Sequence, residues 1–301
     1  MINRINHKNI TWVDVYNPTE NEIAEISEEF LIDPIVRLDI ATPTLRSTLM
    51  EYDDYIYTVI HFPMLEKNTS FNVELDFVIG KHYLITIHYD ELDMIAKIDK
   101  IIDRAMDNRP NDEHHAGHVF LEALSTLYRA SNNALDPIDE KLMVIEKSIY
   151  KGEERKMVSS ISDTIHHLID FDHSLRLHDK ILLHLIDWGG EYYDRKFKDS
   201  VYSLRYIYNE LVDRVNMLRE DADEMRSTND SLLQHKTSDA MKTLTMMSFV
   251  IFPLGLIAGI FGMNAKHIPI IGSDYDFQII ISIMIFITIG LFSFFRYKRW
   301  I

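Results

Sequence analysis

Two long stretches without one ionisable residue constrain this chain more than anything else in it. Thr245–Phe261 reads TMMSFVIFPLGLIAGIF and Phe277–Phe295 reads FQIIISIMIFITIGLFSFF. Each approaches the ~20 apolar residues that cross a hydrocarbon core as a helix. A buried hairpin in a water-soluble core is the alternative, but buried helices are seldom free of charge over such lengths. Pro253 lies inside the first run; it would break a helix in water and is tolerated in a bilayer, where neighbouring groups satisfy the freed carbonyl. Lys and Arg orient the pair. The tail carries Arg296, Lys298 and Arg299, the approach to the first run has Lys236 and Lys242, and the connecting loop has only Lys266. The positive-inside rule then expects a multi-pass protein of the cell (inner or plasma) membrane, both termini cytoplasmic, with Tyr297 and Trp300 as interfacial anchors. The N-terminal MINRINHKNITWVDV lacks the apolar region of a secretory signal.

Charge separates this membrane segment from the rest. The formal net charge is -16. From Leu244 onward Lys266, Arg296, Lys298 and Arg299 face only Asp274 and Asp276, which leaves +2 there and -18 on residues 1–243. So acidic a body repels nucleic acid and attracts cations; the same charge also keeps a soluble surface solvated. There is no cysteine, which removes disulfides, thiolate metal sites and thiol nucleophiles. No Gly-rich phosphate loop, Ser/His/Asp constellation or catalytic carboxylate pair is visible, so neither an enzyme nor a bound cofactor is expected. His114 and His115 with His118, and His166 and His167 with His173, have zinc-ligand character, but clusters of this kind are expected as exposed loop or helix residues.

Residues 1–112 read as an α/β domain. Strands are expected at Ile10–Val15, Tyr55–Leu65, Phe71–Gly80 and His82–Tyr89, the last two joined by a tight turn at Gly80–Lys81. A helix over Asn17–Phe30 would take Asn17 or Thr19 as its cap. Residues 113–190 read as a helical hairpin, interrupted near Asp136–Pro137, with a second helix over roughly Glu153–Asp187 and a break at Gly189–Gly190. From Tyr192 to Phe252 neither Gly nor Pro occurs. That predicts a stalk helix (191–243) entering the first span (244–263) directly; a kink near Ser227–Ser231 is the alternative. An external loop (264–276), a second span (277–295) and a basic tail (296–301) complete the chain.

Within the first span, Thr245, Ser248, Phe252, Gly255, Gly259 and Gly262 recur at helical spacing, so one face is small or polar apart from Phe252. Gly255 and Gly259 form a small-xxx-small pair that would let two copies pack closely. Several copies around an axis would instead turn this seam inward and line a pore, which two spans alone cannot enclose. The span ends in Gly262, Met263 and Asn264. An amide there offers a neutral oxygen, suited to water still held by a small, reluctantly dehydrated ion such as Mg2+, and too weak to trap it. A simple helix C-cap is the other role for Asn264. Asp274 and Asp276 would raise the cation concentration outside.

The stretch SDAMKTLTMMSFVIFPLGLIAGIFGMN resembles the pore helix of CorA-type magnesium transporters. Met241, Lys242, Leu244, Thr245, Pro253, Leu254, Ile257, Gly259, Ile260, Gly262, Met263 and Asn264 carry the likeness, and WVDVYNPTENE, LDIATP, EYDDYIY and ELDFVIGKHYLITIH extend it toward the N-terminus. The resemblance implies an α+β membrane protein: a funnel-shaped homopentamer with an N-terminal α/β cytoplasmic domain and a long stalk helix continuing into the first of two transmembrane helices. It implies a divalent cation channel for Mg2+, with Co2+ and Ni2+ as further ions. Gly262, Met263 and Asn264 would form its selectivity filter. Ser238, Leu244, Phe252 and Gly255 would line the pore, with Leu244 and Phe252 as a hydrophobic constriction. Regulatory Mg2+ would bind between cytoplasmic domains at Glu66 and Asp199. The chain departs from the family at Ser238, Gly255 and Phe261, commonly Asn, Thr and Tyr, and in the loop after Asn264, which lacks a Met-Pro-Glu motif. A ZntB-like zinc transporter on the same scaffold is the alternative.

Overall fold

The computed structural model describes residues 1–7, 9–44, 46–66, 69–89, 115–263, 271–272 and 275–298. Six strands form one sheet: β1 Ile2–His7, β2 Ile10–Tyr16, β3 Thr48–Glu51, β4 Tyr55–Glu66, β5 Thr69–Gly80 and β6 Tyr83–His88. Their order is β1-β2-β6-β5-β4-β3. Every neighbouring pair is antiparallel except β2 and β6, which run parallel with Val13 opposite Ile85. A parallel pair needs a long crossover, and here everything from α1 to β5 lies between the two strands in sequence.

Both faces of the central strands are buried, so every β5 residue from Val73 to Gly80 is buried although Phe71–Phe77 alternates apolar with polar residues. On one face, Val13, Val15, Val59, Val78, Ile85 and Ile87 pack on Ile23 and Ile26 of α1 (Glu20–Glu29) and on Val36 and Ile40 of α2 (Pro34–Ile40). Thr19 caps α1: its hydroxyl accepts from the Glu22 amide at 3.3 Å, and the Glu22 carboxylate accepts from the Thr19 amide at 2.8 Å. Each partner satisfies an amide that the helix start would leave open. Asp33 caps α2 through the Ile35 amide, with Pro34 at the first position.

The other face meets helices. The segment expected as one hairpin holds four: α3 Ala116–Asn133, α4 Asp136–Tyr150, α5 Glu154–Leu175 and α6 His178–Tyr192. The break near Asp136–Pro137 is there, but the second expected helix divides at Arg176–Leu177. Phe77 meets Phe120 of α3 edge-on at 5.1 Å, and Phe62 meets Tyr128 of α3 at 5.4 Å.

Gly189 and Gly190 break nothing; α6 runs through them to Tyr192. A Cβ on Gly189 would lie 2.1 Å from the Phe197 ring, and one on Gly117 2.7 Å from it. These glycines make room for Phe197, fully buried, which seats the start of α7 (Arg195–Phe261) on α3 and α6. Further along α7, Arg205 reaches Asp179 at 2.7 Å, and Arg214 reaches the Asn132 carbonyl at 2.8 Å and Asp136 at 2.7 Å.

The chain divides into two compact units, residues 1–226 and 227–301. No kink interrupts α7 at Ser227–Ser231; it is one helix of 67 residues. The second unit consists of its latter part and α8 (Asp276–Tyr297).

Candidate ion pathway

In the second unit, α7 has two faces with different partners. Counted at ~100° per residue, Ser238, Leu244, Thr245, Ser248, Phe252, Gly255 and Gly259 fall within an arc of about 120°. Thr243, Met246, Met247 and Val250 lie on roughly the opposite side, where they line a cavity together with Phe292 and Phe295 of α8. The seam therefore faces away from α8. Phe252 is 78% exposed and Leu244 59% exposed, and a Cβ built on Gly255 or Gly259 would meet nothing within 4 Å. Its hydroxyls are turned inward: Thr245 donates to the Met241 carbonyl at 2.8 Å and Ser248 to the Leu244 carbonyl at 3.0 Å. The seam is thus neutral, small apart from Leu244 and Phe252, and unfilled among the described residues.

Both helices are long and apolar enough to cross a membrane, with mean hydropathy of 2.2 and 2.3 over their best windows and no buried residue in either window. At the end of α7, the Gly262 amide donates to the Ala258 carbonyl at 2.9 Å and the Met263 amide to the Ile260 carbonyl at 3.3 Å. A Cβ on Gly262 would press on that Ala258 oxygen at 2.9 Å. Glycine is what the tight exit admits. Asn264 and Asp274 lie outside the described residues. The Asp276 carboxylate accepts from the Phe277 amide at 2.6 Å and the Gly272 amide at 3.4 Å, so it organises the start of α8.

Glu66 and Asp199 are far apart within one chain. Glu66 pairs with Thr69 where the β4–β5 hairpin closes, and Tyr55 pairs with Gly80 at its open end. Asp199 belongs to the open end: Phe197 packs there, and Tyr193 donates to the Gly80 carbonyl at 2.7 Å. The twelve-residue strands separate the two ends of the hairpin by about 35 Å. Among the described residues no three His, Asp or Glu side chains could hold a metal together.

Of the two histidine clusters, the first departs from the expectation of exposed residues. His115 and His118 are buried rather than exposed, stacked at 3.8 Å, and His115 also stacks on Tyr193 at 4.0 Å. His114 is outside the described residues. His166 and His173 are exposed, and His167 is half-buried beside Ser70 at 3.0 Å, with burial lowering its pKa.

Sequence reasoning missed two buried polar groups in the first unit. His178 is enclosed between Tyr128, 3.1 Å from Nδ1, and the His61 carbonyl, 3.0 Å from Nε2. Burial lowers its pKa to about 3, so it stays neutral and ties α6 to α3 and β4. On the α1–α2 face, Glu74 accepts from the Thr44 amide at 2.7 Å and lies 3.4 Å from His61. Asp76, fully buried, accepts from Tyr57 at 2.9 Å through Oδ2, while Oδ1 has no hydrogen-bond partner among the described residues. Desolvation pushes Asp76 up to about 8.

An α/β unit and a pair of helices long and apolar enough to cross a membrane, the first carrying an open neutral seam, define the class of an integral membrane protein. A family model described as CorA-like Mg2+ transporter protein matches residues 7–299. The cobalt/magnesium transport protein CorA of Methanocaldococcus jannaschii is 24% identical over 293 residues, covering 97% of this chain and 92% of that protein. The protein of the same name from Thermotoga maritima is 20% identical, covering 97% and 83%. Among solved structures, the complete CorA magnesium transporter from M. jannaschii superposes with a TM-score of 0.85 at 23% identity, covering 99% of this chain and 94% of that one. The full-length CmaX protein gives 0.76 at 13% identity, covering 97% and 89%. The chain belongs to the CorA-like Mg2+ transporter family, whose members are transporters and not enzymes.

Proposed function

We propose that several copies of this chain, five by family resemblance, surround one axis and pass Mg2+ through a pore lined by the α7 seam. The observation that carries this reading is the seam itself, neutral and mostly small, facing away from α8 and filled by nothing among the described residues. Two spans cannot close a pore, so the unfilled face calls for further copies. The ion enters with its water shell past Gly262, Met263 and Asn264, whose neutral oxygens bind water weakly enough for passage. Leu244 and Phe252 form a narrow apolar passage that dewets when the copies close in. The acidic first unit lies in the cytoplasm, as the placement of Lys and Arg requires. Mg2+ and other divalent ions, Co2+ and Ni2+ among them, move down their electrochemical gradient.

Regulation follows from the separation of Glu66 and Asp199. Placed toward opposite ends of the β4–β5 hairpin in one chain, they would meet if one copy presents Glu66 to the Asp199 of its neighbour. A bound Mg2+ then bridges the copies and holds the passage shut, and its loss frees them.

The test is ion uptake by proteoliposomes containing the purified chain, without ATP. Mg2+ enters the parent vesicles; in Asn264→Ala, uptake falls at least about a hundredfold while the assembly keeps its size on a sizing column. Normal uptake in that variant would remove the filter role. Zn2+ entering in preference to Mg2+ would favour the zinc alternative. Glu66→Ala with Asp199→Ala is expected to raise several-fold the internal Mg2+ that halves the flux. An unchanged inhibition curve would place the regulatory site elsewhere.

A further inference from the structure

The cavity between α7 and α8 lies on the side of α7 opposite the seam, and its volume is about 360 Å³. Met246, Met247, Val250 and Ile251 line it from α7, and Phe292 and Phe295 from α8. Thr243 and Phe295 mark the end where α7 enters and α8 leaves its apolar run. Three cations cluster at that end: Lys242 precedes Thr243, and Arg296 and Lys298 follow Phe295. None of the three has an ion-pair partner among the described residues. Asp239 is the one carboxylate on α7 from Ser231 to Phe261, and Asp276 sits at the far end of α8.

An apolar slot ending in unpaired cations has the polarity of a phospholipid, a chain below an anionic phosphate. We infer that this groove binds an anionic phospholipid of the bilayer, with one acyl chain along Met246, Met247, Val250 and Phe292 and its phosphate at Lys242, Arg296 and Lys298. A zwitterionic lipid has the same tail but carries a cation on its own head group, so the preference resides in the head-group charge. Each Lys or Arg near the membrane surface adds to the attraction for an anionic head group. Positive flanks alone would also orient a span; the groove beneath them adds a place for the chain. The inference rests on the pore reading in one respect: with the seam toward the axis, the opposite face looks toward lipid.

The chain has no cysteine, so Met247→Cys gives one attachment point in the groove. The full-length variant, labelled with bimane in detergent micelles, is titrated with brominated phosphatidylglycerol or brominated phosphatidylcholine. Half-quenching is expected at a phosphatidylglycerol concentration at least about tenfold below that for phosphatidylcholine. Lys242→Gln with Arg296→Gln and Lys298→Gln should erase that ratio while leaving phosphatidylcholine quenching as it was. Equal quenching by the two lipids before any charge is removed would overturn the site. So would a disulfide that joins two copies of the unlabelled Met247→Cys variant through the introduced thiol, since a second copy would then cover the groove. Mg2+ uptake is read separately on the parent chain. A lost lipid preference with intact uptake sinks the lipid site alone, and a kept preference without uptake sinks the pore reading alone.

Discussion

The β4–β5 hairpin and the transmembrane part of α7 are both rich in apolar residues, yet they dispose of them in opposite ways. Along β5 the residues from Val73 to Gly80 are all buried; Val78 joins the cluster with α1 and α2 on one side, and α3 and α5 pack on the strand. Along the spans, Leu244, Phe249, Ile251, Phe252 and Leu256 are exposed, and only Phe295 among the α8 residues is buried. The first region completes its core within one chain. The second leaves its apolar side chains exposed, and in the assembly proposed above the bilayer and other copies would cover them, because the hydrophobic effect gives two spans in lipid no reason to bury apolar side chains against each other. Apolar composition alone does not separate the two cases. The separating signal is charge: the sheet's apolar runs are interrupted by Glu74 and Asp76, and the spans have no such interruption.

Matched truncations of two phenylalanines test this contrast most directly. Phe197→Ala empties a fully buried position that Gly117 and Gly189 are shaped to receive. Its expected cost is about 3–5 kcal/mol, read as a lower thermal midpoint of the solubilised full chain. Phe252→Ala removes a side chain 78% exposed within its own chain. It should leave that midpoint unchanged and raise resting Mg2+ uptake in proteoliposomes several-fold, because the apolar constriction proposed there would widen. A loss of stability in Phe252→Ala equal to that of Phe197→Ala would mean that the seam packs within one chain, and the contrast between the regions would fail.

What was legible in the sequence follows the same divide. The spans and the long helix were readable because absence of charge and absence of Gly and Pro are local properties. The strands β2, β4, β5 and β6 were readable from apolar runs, and the α1 cap from Thr19 and Glu22. Strands β1 and β3 and the short α2 were not. The NRIN and TLME stretches alternate too weakly to announce a strand, and their existence depends on pairing with β2 and β4. The parallel β2–β6 pair joins residues more than seventy positions apart, which no local pattern encodes. Gly189–Gly190 misled for a related reason. A glycine that makes room for a ring looks, in sequence, the same as a glycine that ends a helix. The seam could be listed from its spacing, but its orientation away from α8 required knowing which face α8 occupies.

Asp76 offers a finer test, since it is one of the two acids that mark the hairpin as belonging to the soluble unit. An open-chain carboxyl titrates near 3.8, and desolvation moves this one to about 8 in the folded chain, with Glu74 adding repulsion and the Tyr57 hydrogen bond opposing both. Between those values the folded chain binds more protons than the unfolded one, so stability falls as pH rises through the window and levels off above it. Burial alone would lower His61, but its bonds to Glu74 and the Thr44 carbonyl outweigh that and raise it. Its contribution is therefore also lost as pH rises, with the same sign. Asn at position 76 resembles the protonated acid and still accepts from Tyr57. Asp76→Asn should thus be more stable than the parent at pH 8 by about 1–3 kcal/mol, converge with it toward pH 4, and retain a shallower slope owed to His61. Thermal melts of the full chain across that range decide it. If the Asn variant melts below the parent at pH 8, the carboxylate is supporting the sheet in its charged form, and the hairpin holds a working ion where the contrast with α7 requires a neutral core.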